Sequence, residues 1–213
     1  MLDKEIIEIE THPFEPFLPR NAKVLFLGTF PAKPIRWSMN FYYPNFLNDM
    51  WRIMGLLFYD DPMKFEINSS VSDSSSLAND QFASKKKRFD QKAIMDFCAE
   101  KGIALSDTAE KIRRLKGNAS DAFLEVVKSR NLSELLAQIP ECKAIVTTGE
   151  KATSVLCSDY NVDKFSIGEC VPIIISNKEY SFYRMPSTSR AYPLSLDRKA
   201  EFYREMFKDL EML

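Results

Sequence analysis

Glycine is scarce in this chain. There are six in 213 residues, and none falls in a G-x-G-x-x-G or G-x-x-x-x-G-K-[ST] pattern. Both patterns use glycine to bring backbone amides close to a phosphate, so their absence argues against a dinucleotide oxidoreductase and against a P-loop enzyme. Histidine is scarcer still. His12 stands alone, which leaves a Ser-His-Asp triad or a histidine-built metal site without its parts. The four cysteines, Cys98, Cys142, Cys157 and Cys170, form no C-x-x-C pair. Their spacing suits neither a zinc ribbon nor a clustered iron–sulfur motif, and they read as buried, reduced thiols. No metal and no cofactor is expected. Net charge is also missing: 29 Lys and Arg against 30 Asp and Glu leave −1. That excludes a broadly basic nucleic-acid binder but not one that meets phosphate through a local patch. No apolar run approaches the roughly 18 residues of a membrane span. The charged start Met1-Leu2-Asp3-Lys4-Glu5 is followed by no signal-peptide core. A soluble, cytoplasmic monomer is expected.

What the chain does contain is ordinary for a folded protein, with 45% apolar and 28% charged residues. Its length suits one domain over 1–213, large enough to hold a core without disulfide or metal staples. Thr11-His12-Pro13-Phe14-Glu15-Pro16-Phe17-Leu18-Pro19 carries three prolines and cannot be a helix interior; it reads as an extended aromatic strap. Val24-Leu25-Phe26-Leu27, stopped by Gly28, has the continuous apolar character of a strand buried on both faces. Leu47, Met50, Trp51, Met54 and Leu57 recur at helical spacing. A polar, Ser-rich insertion at about 66–89, including Lys85-Lys86-Lys87-Arg88, reads as mobile. The basic run is either a solvated face or a DNA contact.

Asp90–Lys101 reads as a helix ended by Gly102, and Ile103-Ala104-Leu105 as a short buried strand. Helices are expected over about Asp121–Lys128, Ser133–Ile139 and from Gly149 through Leu156. Strands are expected at Ala144–Thr148, Val171–Ile175 and Tyr180–Tyr183. Ser195 is placed to cap a final helix striped by Leu196, Ala200, Tyr203, Phe207 and Leu210. Strands alternating with helices predict an α/β fold: a three-layer α/β/α sandwich around a short, mainly parallel four-stranded sheet.

In such sheets the ligand crevice lies beyond the carboxyl ends of the strands. Three stretches are expected there: Gly28-Thr29-Phe30-Pro31, Thr147-Thr148-Gly149-Glu150-Lys151-Ala152, and Met185-Pro186-Ser187-Thr188-Ser189-Arg190. Each alone could be a plain strand-to-helix turn. Together, on one sheet edge, they read as a binding rim.

The first and last of these, taken with Tyr42-Tyr43-Pro44 and Asn48-Asp49-Met50-Trp51, resemble the uracil-DNA glycosylase superfamily. The resemblance is strongest to its hypoxanthine-type and mismatch-specific (G:T/U) branches. Those carry a G-[ST]-F-P or G-I-N-P turn, an aromatic pair leading into N-x-F-W, and a late [LN]-P-S-x-S turn. His12-Pro13-Phe14, Gly102-Ile103-Ala104-Leu105-x-Asp107 and Thr148-Gly149-x-Lys151-Ala152 also resemble the hypoxanthine branch. The resemblance implies a base-excision enzyme that flips a deaminated base from DNA and hydrolyses its N-glycosidic bond without metal or cofactor.

Residue roles follow from the same resemblance. Asn48 is the implied catalytic asparagine, with Asn131 a second; Asn131 could equally be a plain helix cap. Tyr43 would stack on the flipped base. Gly28, Thr29, Phe30 and Pro31 would line the base pocket, and the backbone amides of that turn would meet developing charge. Pro186, Ser187, Thr188, Ser189 and Arg190 would hold DNA phosphate. The uracil-specific branch carries a water-activating aspartate at the position of Phe30 and a histidine at that of Met185. Neither is present, so uracil excision by that route lacks both groups. Two other readings stand beside the enzyme: a nucleic-acid or nucleotide binder that kept the fold without activity, and a hydrolase of free nucleosides.

Overall fold

Every residue of Val24–Gly28 is buried, as a continuous apolar run requires when both faces of a sheet are covered. The computed structural model describes residues 7–68, 87–115 and 121–213. In chain order the elements are β1 (Ile9–Thr11), β2 (Val24–Gly28), α1 (Met50–Tyr59), β3 (Glu66–Asn68), β4 (Lys87–Phe89), α2 (Gln91–Lys101), β5 (Ile103–Asp107), β6 (Ala109–Arg114), β7 (Leu124–Ser129), α3 (Leu132–Gln138), β8 (Ala144–Thr148), α4 (Glu150–Tyr160), β9 (Cys170–Ile175), β10 (Lys178–Met185) and α5 (Leu196–Asp209).

The central sheet runs β5-β2-β8-β10-β9. Its first four strands are parallel. Alternation along β2 divides the interior: Val24 and Phe26 enter one core, with α1, α2 and α5, while Leu25 and Leu27 enter the other, with α3 and α4. Two apolar layers against one sheet make the expected α/β/α sandwich. The sheet has one strand more than the four expected. β9 joins β10 as an antiparallel edge through Ser176 and Asn177, both at positive φ (52° and 63°). A two-residue turn of that kind makes a hairpin without the long crossover a parallel partner needs.

Local signals read from the sequence recur as bonds. Asp90 accepts from the Ala93 amide at the start of α2, which ends at Gly102 with φ 69°. Ser195 accepts from the Arg198 amide and so caps α5. Three expectations are corrected. Asp121–Lys128 is not a helix: Asp121–Phe123 forms one 3-10 turn and Leu124–Ser129 is β7. Leu124 and Val126 pack inward while Glu125 is exposed between them, a period of two that suits a strand. β7 completes a small antiparallel sheet, β1-β6-β7, that the sequence did not indicate. Leu47 is not part of the α1 stripe; the helix starts at Met50 and Leu47 is exposed. Cys98, Cys142 and Cys157 are buried, but Cys170 is exposed on the edge strand.

Residues 69–86 of the insertion, with Lys85 and Lys86, lie outside the described residues. Its two flanks pair as β3 and β4, with Asn68 opposite Lys87. Arg88 is buried at 6% exposure, so the solvated-face reading fails for it. No helix among the described residues is long and apolar enough to cross a membrane.

Candidate active site

Four parallel strands end on one edge, and beyond them lies a cleft of about 860 Å3. Gly28, Asp107 and Thr148, the last residues of β2, β5 and β8, reach its floor. A side chain at the first of these would have to move a carboxylate. A Cβ on Gly28 would stand 2.5 Å from Asp107 Oδ1 and 3.7 Å from the Tyr43 ring, so the carboxylate rests directly on the turn backbone.

Asp107 is 6% exposed and held by the strap. His12 Nε2 lies 2.8 Å from its Oδ2. The Phe14 amide donates to His12 Nδ1, which leaves Nε2 to carry the hydrogen and donate to the carboxylate. The imidazole also meets Phe30 edge-on and lies flat against Tyr42. The proline-rich segment therefore does more than cover the domain: it fixes a cleft carboxylate.

A second carboxylate reaches the cleft from the 3-10 turn before β7. Thr29 Oγ1 donates to Asp121 Oδ2 at 3.1 Å. Asp121 is exposed and lines the cleft. Burial, the largest cause, together with the nearby Asp107 charge, raises its carboxyl from the ordinary value of 3.8 to about 6, against the Thr29 hydrogen bond and the charges of Arg114 and Lys151.

Tyr43 sits in the left-handed region at φ 52°, half-buried, its hydroxyl 3.1 Å from Thr148 Oγ1. Burial and the Asp107 charge push its phenol well up, so it stays a neutral hydroxyl. Asn48 precedes α1 rather than lying in its first turn. Its Oδ1 accepts from the Met50 amide at 2.9 Å and starts the helix, while its Nδ2 makes no hydrogen bond to a described residue. The Asn48 carbonyl accepts from Arg52.

The late turn is tied to Asn48 by a bridge between Asn48 and Ser189 and to its neighbour by ions. Asp49 takes Arg190 Nε on one oxygen and Lys199 Nζ on the other, each at 2.9 Å. Lys199 is 1% exposed and also donates to the Ser189 carbonyl. A buried ammonium needs such pairing to stay charged. Ser187 and Ser189 hydroxyls accept amides two residues on, which rounds the turn and leaves their O–H groups to donate. Arg190, Arg36 and Lys151 are the cations of the cleft wall, against Asp107, Asp121 and Glu150.

The cleft thus gathers Asn48, Gly28, Thr29, Phe30, Pro31, Tyr43, Ser187, Thr188, Ser189 and Arg190. It excludes two expected residues. Pro186 is buried behind the rim, where its carbonyl accepts from Tyr203. Asn131 lines a separate hollow of about 500 Å3 and caps α3, its side chain accepting from Ser133 and donating to Glu134. Met185 and Phe30 are both buried. Sequence reading missed Asp107 with His12, Asp121 and Lys199 as parts of the site. Asp107 closes the Gly102-Ile103-Ala104-Leu105-x-Asp107 motif, whereas no local pattern marks Asp121.

No protein-family model matches the chain, and no curated protein matches its sequence. Among solved structures it is similar to the solution structure of a proposed uracil DNA glycosylase from Methanosarcina acetivorans, at TM-score 0.60 and 20% identity, over 96% of this chain and 99% of that one. The shared fold is mixed α/β with a mainly parallel central sheet.

Proposed function

We propose that this chain is a DNA glycosylase that hydrolyses the N-glycosidic bond of a flipped, deaminated base, of hypoxanthine or uracil type, in base-excision repair. The observation that carries the reading is the gathering of Asn48, Tyr43, the Gly28–Pro31 turn and the Ser187–Arg190 turn in one cleft. The fold neighbour described as a proposed uracil DNA glycosylase supports it.

In this reading Tyr43 offers a stacking face to the base. The base leaves as an anion, and the Asn48 Nδ2 and the turn amides are donors suited to it. The sugar becomes cationic as the bond lengthens, and the carboxylates of the cleft floor stabilise that charge. The Ser187–Arg190 turn takes the flanking phosphate, as a local patch on a chain of charge −1 must. The enzyme acts as a monomer in the cytoplasm, without metal or cofactor. The test is a panel of oligonucleotides carrying uracil, hypoxanthine, xanthine or a G:T pair, incubated in chelator and scored for abasic sites. Abasic sites in none of them would overturn the reading.

A second reading, an inactive binder of nucleic acid or nucleotides, is favoured by one observation: buried Phe30 and Met185 stand where related enzymes carry chemistry. It expects lesion binding without any abasic product.

A further inference from the structure

We infer that Asp121 is the group that activates the attacking water, held in place for it by Thr29. The inference rests on the glycosylase reading above and supplies what that reading lacks, a base near the turn where Phe30 stands. Three carboxylates line the cleft, and their contacts separate them. Asp107 gives Oδ2 to His12 on the strap side, and its Oδ1 fills the space that a Cβ on Gly28 would take, 2.5 Å from that position, so this carboxyl is pinned at the floor beneath the turn. Glu150 is paired with Arg184 and is largely exposed. Asp121 gives one oxygen to Thr29, and its Oδ1 makes no hydrogen bond to a described residue.

The chain segment explains the placement. Thr29 is the residue before Phe30, so its hydroxyl brings the Asp121 carboxyl to the same turn from a different element. An acid missing at one position of the turn is thereby replaced in space by one reached across 92 residues of sequence. Charge supports the role. Asp107 repels the Asp121 carboxylate, while Arg114 and Lys151 attract it. The balance, with burial, sets its proton affinity near pH 6. Such a group is ionised at neutral pH yet basic enough to take a proton from a water that is bonding to carbon.

The step balances as follows. The water oxygen forms its bond to the sugar C1′ as the C1′–N bond breaks. The electron pair of that bond leaves with the base. One water proton passes to the Asp121 Oδ1 and is then released to solvent or to the departing base anion.

The experiment is single-turnover excision by the full chain, on the best substrate of the panel, from pH 4.5 to 9, with DNA binding measured in parallel. The wild type should lose rate below about pH 6 as the carboxyl takes its proton. Asp121→Asn should lose roughly 10²-fold or more in rate, the usual share of a general base, with lesion binding within about threefold, and should lack the acidic limb. Thr29→Val removes the bond that favours the charged form and should move the limb to higher pH. It keeps the test open if Asp121→Asn does not fold, because a residue that only supports the fold would leave the limb in place. Asp121→Asn acting at the wild-type rate, or a limb unmoved in Thr29→Val, overturns the inference while leaving a glycosylase. A wild type that makes no abasic site on any lesion overturns both.

Discussion

Asn48 shows how one amide can serve two ends. Its oxygen is committed to the Met50 amide and its nitrogen is left toward the cleft. The two functions separate by substitution. Asn48→Asp keeps an acceptor for the helix start but loses the donor, so thermal stability should hold while excision falls on the order of 10²-fold, the scale of losing one preorganised donor. Asn48→Ala loses both and should also unfold more easily, by about 1 kcal/mol for the lost hydrogen bond. Melting curves beside single-turnover rates distinguish them; an active Asn48→Asp would mean the side chain holds water rather than the base. Asp121 carries a second residue-scale expectation. Its folded-state proton affinity lies above that of the unfolded chain, so its contribution favours folding below about pH 4 and is lost as pH rises through about 6. Asp121→Asn should therefore stabilise the protein at pH 8, by about 1 kcal/mol once solvent access is allowed for, and make no difference at pH 4. Melting temperatures at the two pH values check the sign. Asn48, Tyr43 and the glycine turn were legible because short motifs carried them. Asp121 with Thr29, His12 with Asp107 and Lys199 with Asp49 were not, since each pair joins residues 92 or more apart and no local pattern marks such a contact.

Among elements, the buried strands were legible from apolar runs and the capped helices from their end residues. β6 and β7 were not. Ala109-Glu110-Lys111-Ile112-Arg113-Arg114 is polar, and its pairing is broken by a bulge, so neither hydrophobic run nor clean alternation announced it. What holds Leu124–Ser129 as a strand is the partner edge, which only the folded chain supplies. The Ser187–Arg190 turn is held by Asp49 before α1 and Lys199 in α5 as well as by its own serine hydroxyls. Arg190 keeps its Nε on Asp49 with its side chain 46% exposed, so it can take a phosphate while anchored. Arg190→Ala should weaken DNA binding equally for every lesion and lower the dependence of binding on salt by about one contact. Titrations at several salt concentrations would show it; an effect on one lesion only would move Arg190 into the base pocket. Asp49 keeps Lys199 in that variant, so the turn itself should hold.

At the scale of the molecule, the α/β/α architecture followed from the alternation of apolar strands and striped helices, and the shared fold over nearly the whole chain agrees with it. The edge hairpin β9–β10 and the small sheet were additions to that frame, not exceptions to it. The site sits at the carboxyl edge of the sheet because four parallel strands must all end there. Its polar groups then come from the strap, both helical layers and the small sheet, so the cleft is a property of the whole chain.

The pairing of β3 with β4 has a consequence for engineering. Asn68 and Lys87 face each other across the ladder, close enough for a two-residue Asn-Gly turn to join them. Phe65 and Phe89, buried on the near side, would keep their packing, and Glu66 would keep Arg52. Replacing 69–86 by that turn should leave excision unchanged and raise stability by roughly 1–2 kcal/mol, because a shorter closure loses less chain entropy. A melting curve and a rate on the same sample would decide it. The same neck is then a port: a fluorescent domain or an affinity handle could be grafted between residues 68 and 87.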